Sequence, residues 1–594
     1  MLPGYEEHQR LIETARGDRL AELFVRGGTI ANVYSGVLHR GNVAVTGGRI
    51  AYVGEGERAV GPDTLIVDAR GMVVCPGYVE AHFHPWVLYN PVSLVEGVLP
   101  LGTTTIVADN LFFFMEMGQD GFRAMIDDLR ELPLLYLWMA RLTSQAKFPG
   151  EEEMFELDRV EPLLRRDDVI GTAEITRWPA LAAGEPDLIS GINAAKALGK
   201  IVDGHTGGAS EARLQPVAAA GIDADHEAIT KREVLNRLRL GIWTMLRYSS
   251  LRPDLPELLR AVTEDGVSTH RLVMTTDGPA PEFAAEHGLV DGMLRVAVEN
   301  GLPPMQALQM ATINPATLFR IDGQVGGIGI GRRADLLLLP DLTSFRPETV
   351  ITRGRVVAAD GGLRVSLPRL AWESYGSRPR FDDDLDLADP ELYPLRAQAG
   401  TEAEVPVVHL KSAVITERRD SRVRVEDGIV ALDGQQRILY AALVDREGSW
   451  ISRVLVSGFA ANLEGLASTY NTTTHLLVLG RRPEAMARAA GRVRELRGGI
   501  VVVKGGEIVY ELALPITGMM SGLTFAEVVD KNRKLSRVMT EAGYEHHDIL
   551  YTLLFLTCDF LPALRLTPLG LLDVKSSRTL APVEQLTGPS NSRL

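Results

Sequence analysis

Eight short apolar runs, many of them separated by a helical stretch, constrain the fold of this chain more than any other feature. Helices are predicted at 231–240 and 256–263, between successive runs, and at 289–300, after the last run. Eight strand-and-helix units within about 250 residues are typical of a (β/α)8 barrel. A doubly wound sheet is the alternative. The predicted strands are 73–84, 103–109, 134–139, 169–175, 201–205, 222–227, 243–248 and 272–277.

Short β runs flank the barrel region on both sides. Residues 1–24 are polar and predicted to be helical. Residues 25–74 and 331–370 alternate short apolar runs with glycine pairs such as Gly47-Gly48, a pattern of strands and tight turns. We expect these two segments to form one small β-sandwich domain, with the barrel at 75–330 inserted between them.

The remaining residues are predicted to form a further domain. An acidic, proline-bearing stretch around 377–390 favours a linker, and 395–594 contains further strands, for example at 476–479 and 500–503. The chain is 594 residues long, which favours several domains. The predicted fold class is therefore α/β, with a (β/α)8 TIM-like barrel, a small β-sandwich domain and an additional C-terminal α/β domain.

Composition excludes several classes of protein. Lys and Arg number 62 against 77 Asp and Glu, and the net charge of −15 argues against nonspecific nucleic-acid binding. Cys75 and Cys558 are the only cysteines, so a disulfide framework and a cysteine-rich metal site are excluded. The charged N-terminus does not resemble a signal peptide, and no apolar segment is long enough to span a bilayer. We expect a cytoplasmic protein with no membrane partner.

Metal-capable side chains follow five of the eight predicted strands. His82 and His84 are two residues apart at the end of the first, so both imidazoles can face one point. The carboxyl ends of barrel strands meet at one face, where active sites form. Four imidazoles and two carboxylates suit one or two divalent ions such as Zn, Mn or Fe. The predicted ligands are His82, His84, Glu174, His205, His226 and Asp277.

These residue types suit hydrolysis. A divalent ion lowers the pKa of bound water, and an aspartate beside it can take a proton and return it to a leaving group. Two structural alternatives compete with this interpretation. Glu174 can instead pair with Arg177, and Glu227 and Arg247 can form a structural ion pair.

The order of the motifs along the chain resembles the amidohydrolase superfamily. The barrel motifs are Pro-Gly-x4-His-x-His at 76–84, Gly-Thr-Thr-Thr at 102–105, Gly-His at 204–205, Asp-His-Glu at 225–227 and Thr-Asp at 276–277. Asn-Pro-Ala at 314–316 and the segment 331–336 also fit. Within the superfamily the chain resembles the adenine deaminase family, whose extra domain matches residues 497–502 and 514–521.

This resemblance implies a role for each site residue. His82, His84 and Asp277 would hold one metal, His205 and His226 a second, and Glu174 would bridge them. Asp277 would also move the proton in catalysis, and Glu227 is the second implied catalytic residue. The implied substrate-binding residues are Arg247, Ser249, Trp86, Asn90 and Asp109.

Three segments depart from ordinary adenine deaminases. Residues 85–90 replace Glu-Ser-Ser, 110–114 replace Pro-His-Glu, and 471–475 replace Asp-Ser-His-Asn. Aromatic and apolar side chains thus stand where polar groups are usual, and Tyr-Asn-Pro at 89–91 resembles an N6-methyladenine deaminase-like branch. An apolar pocket would lower the cost of burying an N-methyl group, because moving one such carbon out of water is worth about 0.8 kcal/mol.

We therefore expect a metal-dependent enzyme that converts the free base adenine or N6-methyladenine to hypoxanthine and an amine, as a homodimer. One alternative is an amidohydrolase acting on a cyclic amide, a class that commonly has a bridging lysine where this chain has Glu174. Another is an inactive barrel with a binding role. The zinc deaminases with a P-C-x-x-C signature are excluded because the chain has no C-x-x-C.

Overall fold

A computed structural model describes residues 4–397, 400–432 and 437–586. The predicted domain limits at residues 1 and 594 lie outside this range. The helices are α1 Tyr5–Arg16, α2 Pro91–Val98, α3 Leu111–Asp128, α4 Glu151–Met154, α5 Leu157–Leu164, α6 Trp178–Ala182, α7 Pro186–Ala197, α8 Glu211–Ala219, α9 Lys231–Arg239, α10 Leu255–Thr263, α11 Pro281–His287, α12 Val290–Glu299, α13 Pro304–Met310, α14 Ile313–Leu318, α15 Pro483–Leu496, α16 Phe525–Glu541 and α17 Ile549–Phe555.

Both flanks of the barrel contribute to one nine-stranded sheet. Its strand order is β17-β16-β15-β14-β5-β1-β2-β3, with β4 beside β1. The two chain segments join where β14 pairs antiparallel with β5. The strands are β1 Leu23–Asn32, β2 Val37–Thr46, β3 Arg49–Gly54, β4 Leu65–Asp68, β5 Val73–Pro76, β14 Leu336–Leu339, β15 Thr349–Thr352, β16 Arg355–Ala359 and β17 Gly362–Leu363.

Eight parallel strands form the nearly closed barrel. They pair in chain order, and the first and last are linked where the Thr275 hydroxyl donates to the His82 carbonyl oxygen at 2.6 Å. The predicted barrel is confirmed, and the doubly wound alternative is wrong. The strands are β6 Tyr78–Phe83, β7 Thr103–Asp109, β8 Leu135–Ala140, β9 Val169–Ile175, β10 Ile201–Gly204, β11 Ala224–Asp225, β12 Trp243–Arg247 and β13 Leu272–Thr275.

The prediction of one continuous strand at 73–84 is wrong. The run divides at Gly77 into β5 of the flanking sheet and β6 of the barrel. A Cβ atom at Gly77 would lie 2.0 Å from Thr104 Oγ1, so only glycine lets the chain pass so close to β7. An apolar run on its own does not show that its two halves belong to different sheets.

The C-terminal region contains a ten-stranded sheet, in the order β20-β19-β18-β22-β21-β24-β23-β25-β26 with β30 beside β22, and a three-stranded sheet. The segment predicted as a linker packs against this region, since Leu387 is buried and the Leu385 carbonyl accepts a hydrogen bond from Arg494. The strands are β18 Glu402–Leu410, β19 Thr416–Glu426, β20 Ile429–Ala431, β21 Ile438–Val444, β22 Trp450–Ser457, β23 Gly465–Ser468, β24 Leu476–Gly480, β25 Gly499–Lys504, β26 Glu507–Ala513, β27 Leu564–Thr567, β28 Gly570–Asp573, β29 Arg578–Ala581 and β30 Glu584–Gln585.

None of the helices in the described ranges is both long enough and apolar enough to cross a bilayer.

Candidate metal centre and active site

The first histidine pair and Asp277 meet at the carboxyl end of the barrel. Asp277 Oδ1 lies 3.2 Å from the Nε2 atoms of both His82 and His84. Asp277 follows β13, the neighbour of β6, and its φ of 60° turns the chain sharply after the strand. The three side chains therefore form one group whose ligand atoms lie within 4.8 Å of one another.

A second group surrounds Glu174 at the end of β9. Its Oε2 atom lies 2.6 Å from His205 Nδ1 and 3.2 Å from His226 Nε2. Its Oε1 atom accepts hydrogen bonds from Arg141 Nη2 at 2.6 Å and Gln145 Nε2 at 2.9 Å. Arg141 and Gln145 therefore fix the carboxylate so that Oε2 faces the two imidazoles.

The two groups adjoin each other. The His82 and His226 rings stack with centroids 4.0 Å apart, and His84 Nε2 lies 3.6 Å from Glu174 Oε1. All six predicted ligands are thus brought together. Glu174 does not pair with Arg177, which instead binds Glu151 and Asp559.

The donor atoms of these groups fit a divalent cation. His82 Nε2 and Asp277 Oδ1 are buried and have no hydrogen-bond partner, although only 3.2 Å separates them. Leaving buried polar atoms unpaired is costly, and a cation between them would satisfy both. Imidazole and carboxylate are the ligands that zinc, manganese and iron share.

The neighbours of the two predicted carboxylate ligands favour the ionised state, which suits metal binding. Asp203 Oδ2 lies 2.8 Å from His82 Nδ1 and holds that ring with Nε2 toward Asp277. Burial raises the pKa of Glu174, but His205 and Arg141 outweigh it and hold the pKa well below its usual range. Burial also raises the pKa of Asp277, but Arg247 and the two histidines outweigh it and hold that pKa well below its usual range. Both carboxylates are therefore ionised at neutral pH.

Arg247 connects Asp277, in the first group of predicted ligands, to Glu227. Its Nη1 atom lies 2.6 Å from both Glu227 Oε1 and Asp277 Oδ2. Glu227 also pairs with Arg252, and its pKa is lowered because these cations outweigh the effect of burial. The structural ion pair considered for Glu227 and Arg247 is therefore present. It leaves Arg247 Nε buried without a partner and Asp277 Oδ1 directed at the histidines.

Two of the predicted pocket residues lie beside the predicted metal ligands. The Trp86 ring lies 4.8 Å from the His84 ring and 5.0 Å from Phe112, so the wall next to His84 is aromatic. Asp109 Oδ2 lies 3.7 Å from His84 Nδ1 but accepts a hydrogen bond from Arg141 Nε at 2.6 Å. Asp109 therefore helps to orient the guanidinium that binds Glu174.

Two other predicted pocket residues have structural contacts of their own. The Asn90 side chain caps α2 and donates to the Ser521 carbonyl of the C-terminal region at 2.8 Å. The Ser249 backbone nitrogen donates to the carbonyl of Arg252, the residue that pairs with Glu227. These contacts place Asn90 at a domain junction and Ser249 in the turn that supports Arg252.

Several residues of the site were not predicted from the sequence. Arg141 and Gln145 follow β8, whose end carries no metal-type residue, and Asp203 lies near the end of β10, two residues before the predicted ligand His205. Position at or after the carboxyl end of a barrel strand was the available signal for all three. Tyr551 and Phe560 approach the site from the C-terminal region, where no strand-end rule applies.

Comparison with known proteins identifies the family. The amidohydrolase family model matches residues 73–357, and the adenine deaminase C-terminal domain model matches residues 413–578. Adenine deaminase from Moorella thermoacetica is 34% identical over 96% of this chain and 97% of its own length. Adenine deaminase from Rubrobacter xylanophilus is 35% identical over 96% of each chain. The chain is an enzyme of the amidohydrolase type, a hydrolase acting on C–N bonds, and it belongs to the adenine deaminase family.

Proposed function

We propose that this protein is a divalent-metal-dependent hydrolytic deaminase of a free adenine-type base. It would remove the 6-amino or 6-methylamino group and release hypoxanthine with ammonia or methylamine. The observation that carries the proposal is the meeting of six strand-end ligands around unpaired His82 Nε2 and Asp277 Oδ1, in a chain that matches adenine deaminases along nearly its whole length.

Two sets of residues would hold the metal. His82, His84 and Asp277 form one set, and His205, His226 and Glu174 form the other. A divalent ion held here supplies an acidified water and a positive charge that stabilises negative charge developing on the substrate.

Asp277 is the residue proposed to move the proton. Its Oδ1 faces the ligand groups, and its Oδ2 is held by Arg247, so the carboxylate is fixed in orientation. Because it is ionised, it can accept the proton of the attacking water and deliver it to the departing amine. The C6–N bond then breaks, the amine leaves neutral, and the ring keeps the oxygen as the 6-oxo group, with the second proton of the water on a ring nitrogen.

Glu227 and Arg247 are proposed to bind the purine ring. The Glu227 Oε1 atom is buried and accepts no well-formed hydrogen bond, so it can accept one from a ring N–H. Arg247 links this carboxylate to Asp277, which would keep the ring and the proton-transfer group in register.

The wall formed by Trp86 and Phe112 favours a substituted amino group. Both rings are fully buried, and Trp86 lies directly on His84. Apolar surface of this kind can bury an N-methyl group at no cost in hydrogen bonds. A polar wall covered by the same methyl group would lose its hydrogen bonds to water.

A product assay tests the proposal. The metal-loaded protein is incubated with adenine, N6-methyladenine and related 6-substituted purines, and ammonia, methylamine and hypoxanthine are measured. We expect hypoxanthine from at least one base, with methylamine from N6-methyladenine. Ammonia release from adenine that is much faster than methylamine release would reject the preference for the methylated base. Turnover of none of the bases would reject the deaminase proposal itself.

A further inference from the structure

A chain of three aromatic rings from the C-terminal region crosses the carboxyl end of the barrel. The Tyr551 hydroxyl donates to the carbonyls of Asp277 and Gly278, just after the eighth barrel strand. Tyr551 stacks on Phe555 with centroids 5.6 Å apart, and Phe555 meets Phe560 edge to face at 5.7 Å. Phe560 in turn lies edge to face on His205, at 5.3 Å. The rings therefore connect the ligand of the eighth strand with that of the fifth.

The residue before Phe560 is anchored to the barrel. Asp559 Oδ2 accepts hydrogen bonds from Arg177 Nη2 at 2.7 Å and from the Lys147 backbone nitrogen at 2.8 Å. Its own backbone nitrogen donates to the carbonyl of Gln145, the residue whose side chain binds Glu174. Since Asp559 is fixed by loops that follow β8 and β9, the position of Phe560 over His205 is also fixed.

Phe560 lies across the site from Trp86. Trp86 is packed on His84 of the first barrel strand, and Phe560 on His205 of the fifth. In a barrel of eight strands that pair in chain order, the first and fifth strands are opposite each other. A planar molecule held over the two adjoining histidine groups would therefore have an aromatic ring on each side.

We propose that residues 549–562 form the roof of the active site and that Phe560 contacts the planar ring of the substrate. This inference rests on the proposed function, because it takes the substrate to be a purine base. It gives the C-terminal domain a direct part in substrate binding. Phe560 offers no ligand atom to a metal, so its contribution is to substrate affinity, since an aromatic ring stacks on any planar base.

The test uses the full-length, metal-loaded protein and the substitutions F560A, F560L and F560Y. Removing the ring in F560A or F560L is expected to raise KM about tenfold, with kcat changed less than about threefold and metal content unchanged. F560Y keeps the ring and is expected to stay within about twofold of the wild type. Calorimetric titration with hypoxanthine measures the same loss as binding, without turnover, and F560L serves if F560A does not fold.

The control is F381A, because Phe381 is also partly buried but packs against the core of the C-terminal domain. It is expected to leave KM unchanged. A second variant, D559N, weakens the anchor while keeping Phe560. It should raise KM and speed amide hydrogen exchange over residues 557–563.

The outcomes separate the two proposals. A wild-type protein that neither turns over nor binds the bases refutes the proposed function. An active wild type whose F560A and F560L variants keep KM and hypoxanthine affinity within twofold refutes the roof assignment and leaves the proposed function standing. The roof assignment would also be refuted if F560L lost its metal but had an unchanged KM once the metal was added back. The ring of Phe560 would then support His205 and would not contact the substrate.

Discussion

The two ends of the barrel are built from the same eight strands but have opposite character. At the amino end the interior is filled by Ile170, Ile201 and Val273, and Phe319 and Ile321 pack against them from the segment after α14. At the carboxyl end the interior holds imidazoles, carboxylates and guanidinium groups, several with buried atoms that lack a partner.

This difference shows how the free energy of the fold is distributed. The apolar end gains stability from burial and close packing, and a change there should be felt as a loss of stability. The polar end buries charge, which costs free energy unless every group is paired, and so it depends on its arginines and, under the proposed function, on a cation. Mutations at the two ends should therefore separate activity from stability.

The largest effect is expected for Asp277→Asn at the polar end. The amide cannot accept and return the proton, so kcat should fall about a thousandfold while the fold is retained. Steady-state rates of amine release measure this. The matched control is Asp168→Asn, an aspartate just before β9 at the amino end, which should leave kcat unchanged. A thousandfold loss in the control, or none in Asp277→Asn, would contradict the assignment of catalysis to one end.

Arg141→Met tests the pairing of buried charge. The substitution leaves Asp109 and Glu174 without their shared guanidinium, and we expect a loss of about 3–5 kcal/mol in the free energy of unfolding. Denaturant titration measures it. Arg130→Met is the control at the amino end, where Arg130 pairs with Asp168 but is about half exposed, so the loss should be below about 1 kcal/mol. Equal losses in the two variants would show that the two ends do not differ.

Glu80→Gln tests the boundary between the two ends. Burial is the main cause that raises the pKa of Glu80, from 4.5 to about 7, against hydrogen bonds from Thr275 and Thr276. A carboxyl whose pKa is raised in the folded state favours folding while protonated, so stability is full below pH 4.5 and falls as pH rises toward 7. The loss by pH 7 is about 3 kcal/mol. Unfolding measured from pH 4.5 to 7 should show this slope in the wild type relative to Glu80→Gln, and parallel curves would contradict it.

The smallest effect is expected for Ile201→Val at the apolar end. Removing one buried methyl group should cost about 1 kcal/mol in unfolding free energy and leave kcat and KM unchanged. Thermal unfolding and steady-state kinetics on the same preparation measure both. A tenfold loss of activity would show that the apolar layer also shapes the site.

Much of the barrel, and the side chains that meet at its carboxyl end, could be predicted because periodicity and position carry the information. His82, Glu174, His205 and Asp277 each follow an apolar run, and the strands of a barrel end at one face whatever their spacing in sequence. The division at Gly77 could not be predicted, since both halves of the run are equally apolar. The acidic residues of the segment 377–390 predict a linker, and they outnumber the apolar residues such as Leu387 that are buried in the structure.

The contacts that orient these side chains were harder to predict than the positions of the side chains themselves. Arg141 reaches Glu174 across 33 residues, and Phe560 reaches His205 across more than 350. No local pattern marks such pairs, because the first contact depends on the pairing of β8 with β9 and the second on how the C-terminal domain is placed on the barrel. The domain boundaries, the metal, and the homodimer stay predictions from the sequence.

The most direct test of the central claim is metal content measured together with amine release. The protein is treated with a chelator, its Mn, Fe and Zn are quantified by mass spectrometry, and Mn²⁺ is then added back while hypoxanthine formation is followed. We predict that activity falls to background when the metal is removed and returns as one or two ions bind per chain, and that His82→Ala and His205→Ala bind fewer ions. Full activity in protein with less than about a tenth of an ion per chain would contradict the account.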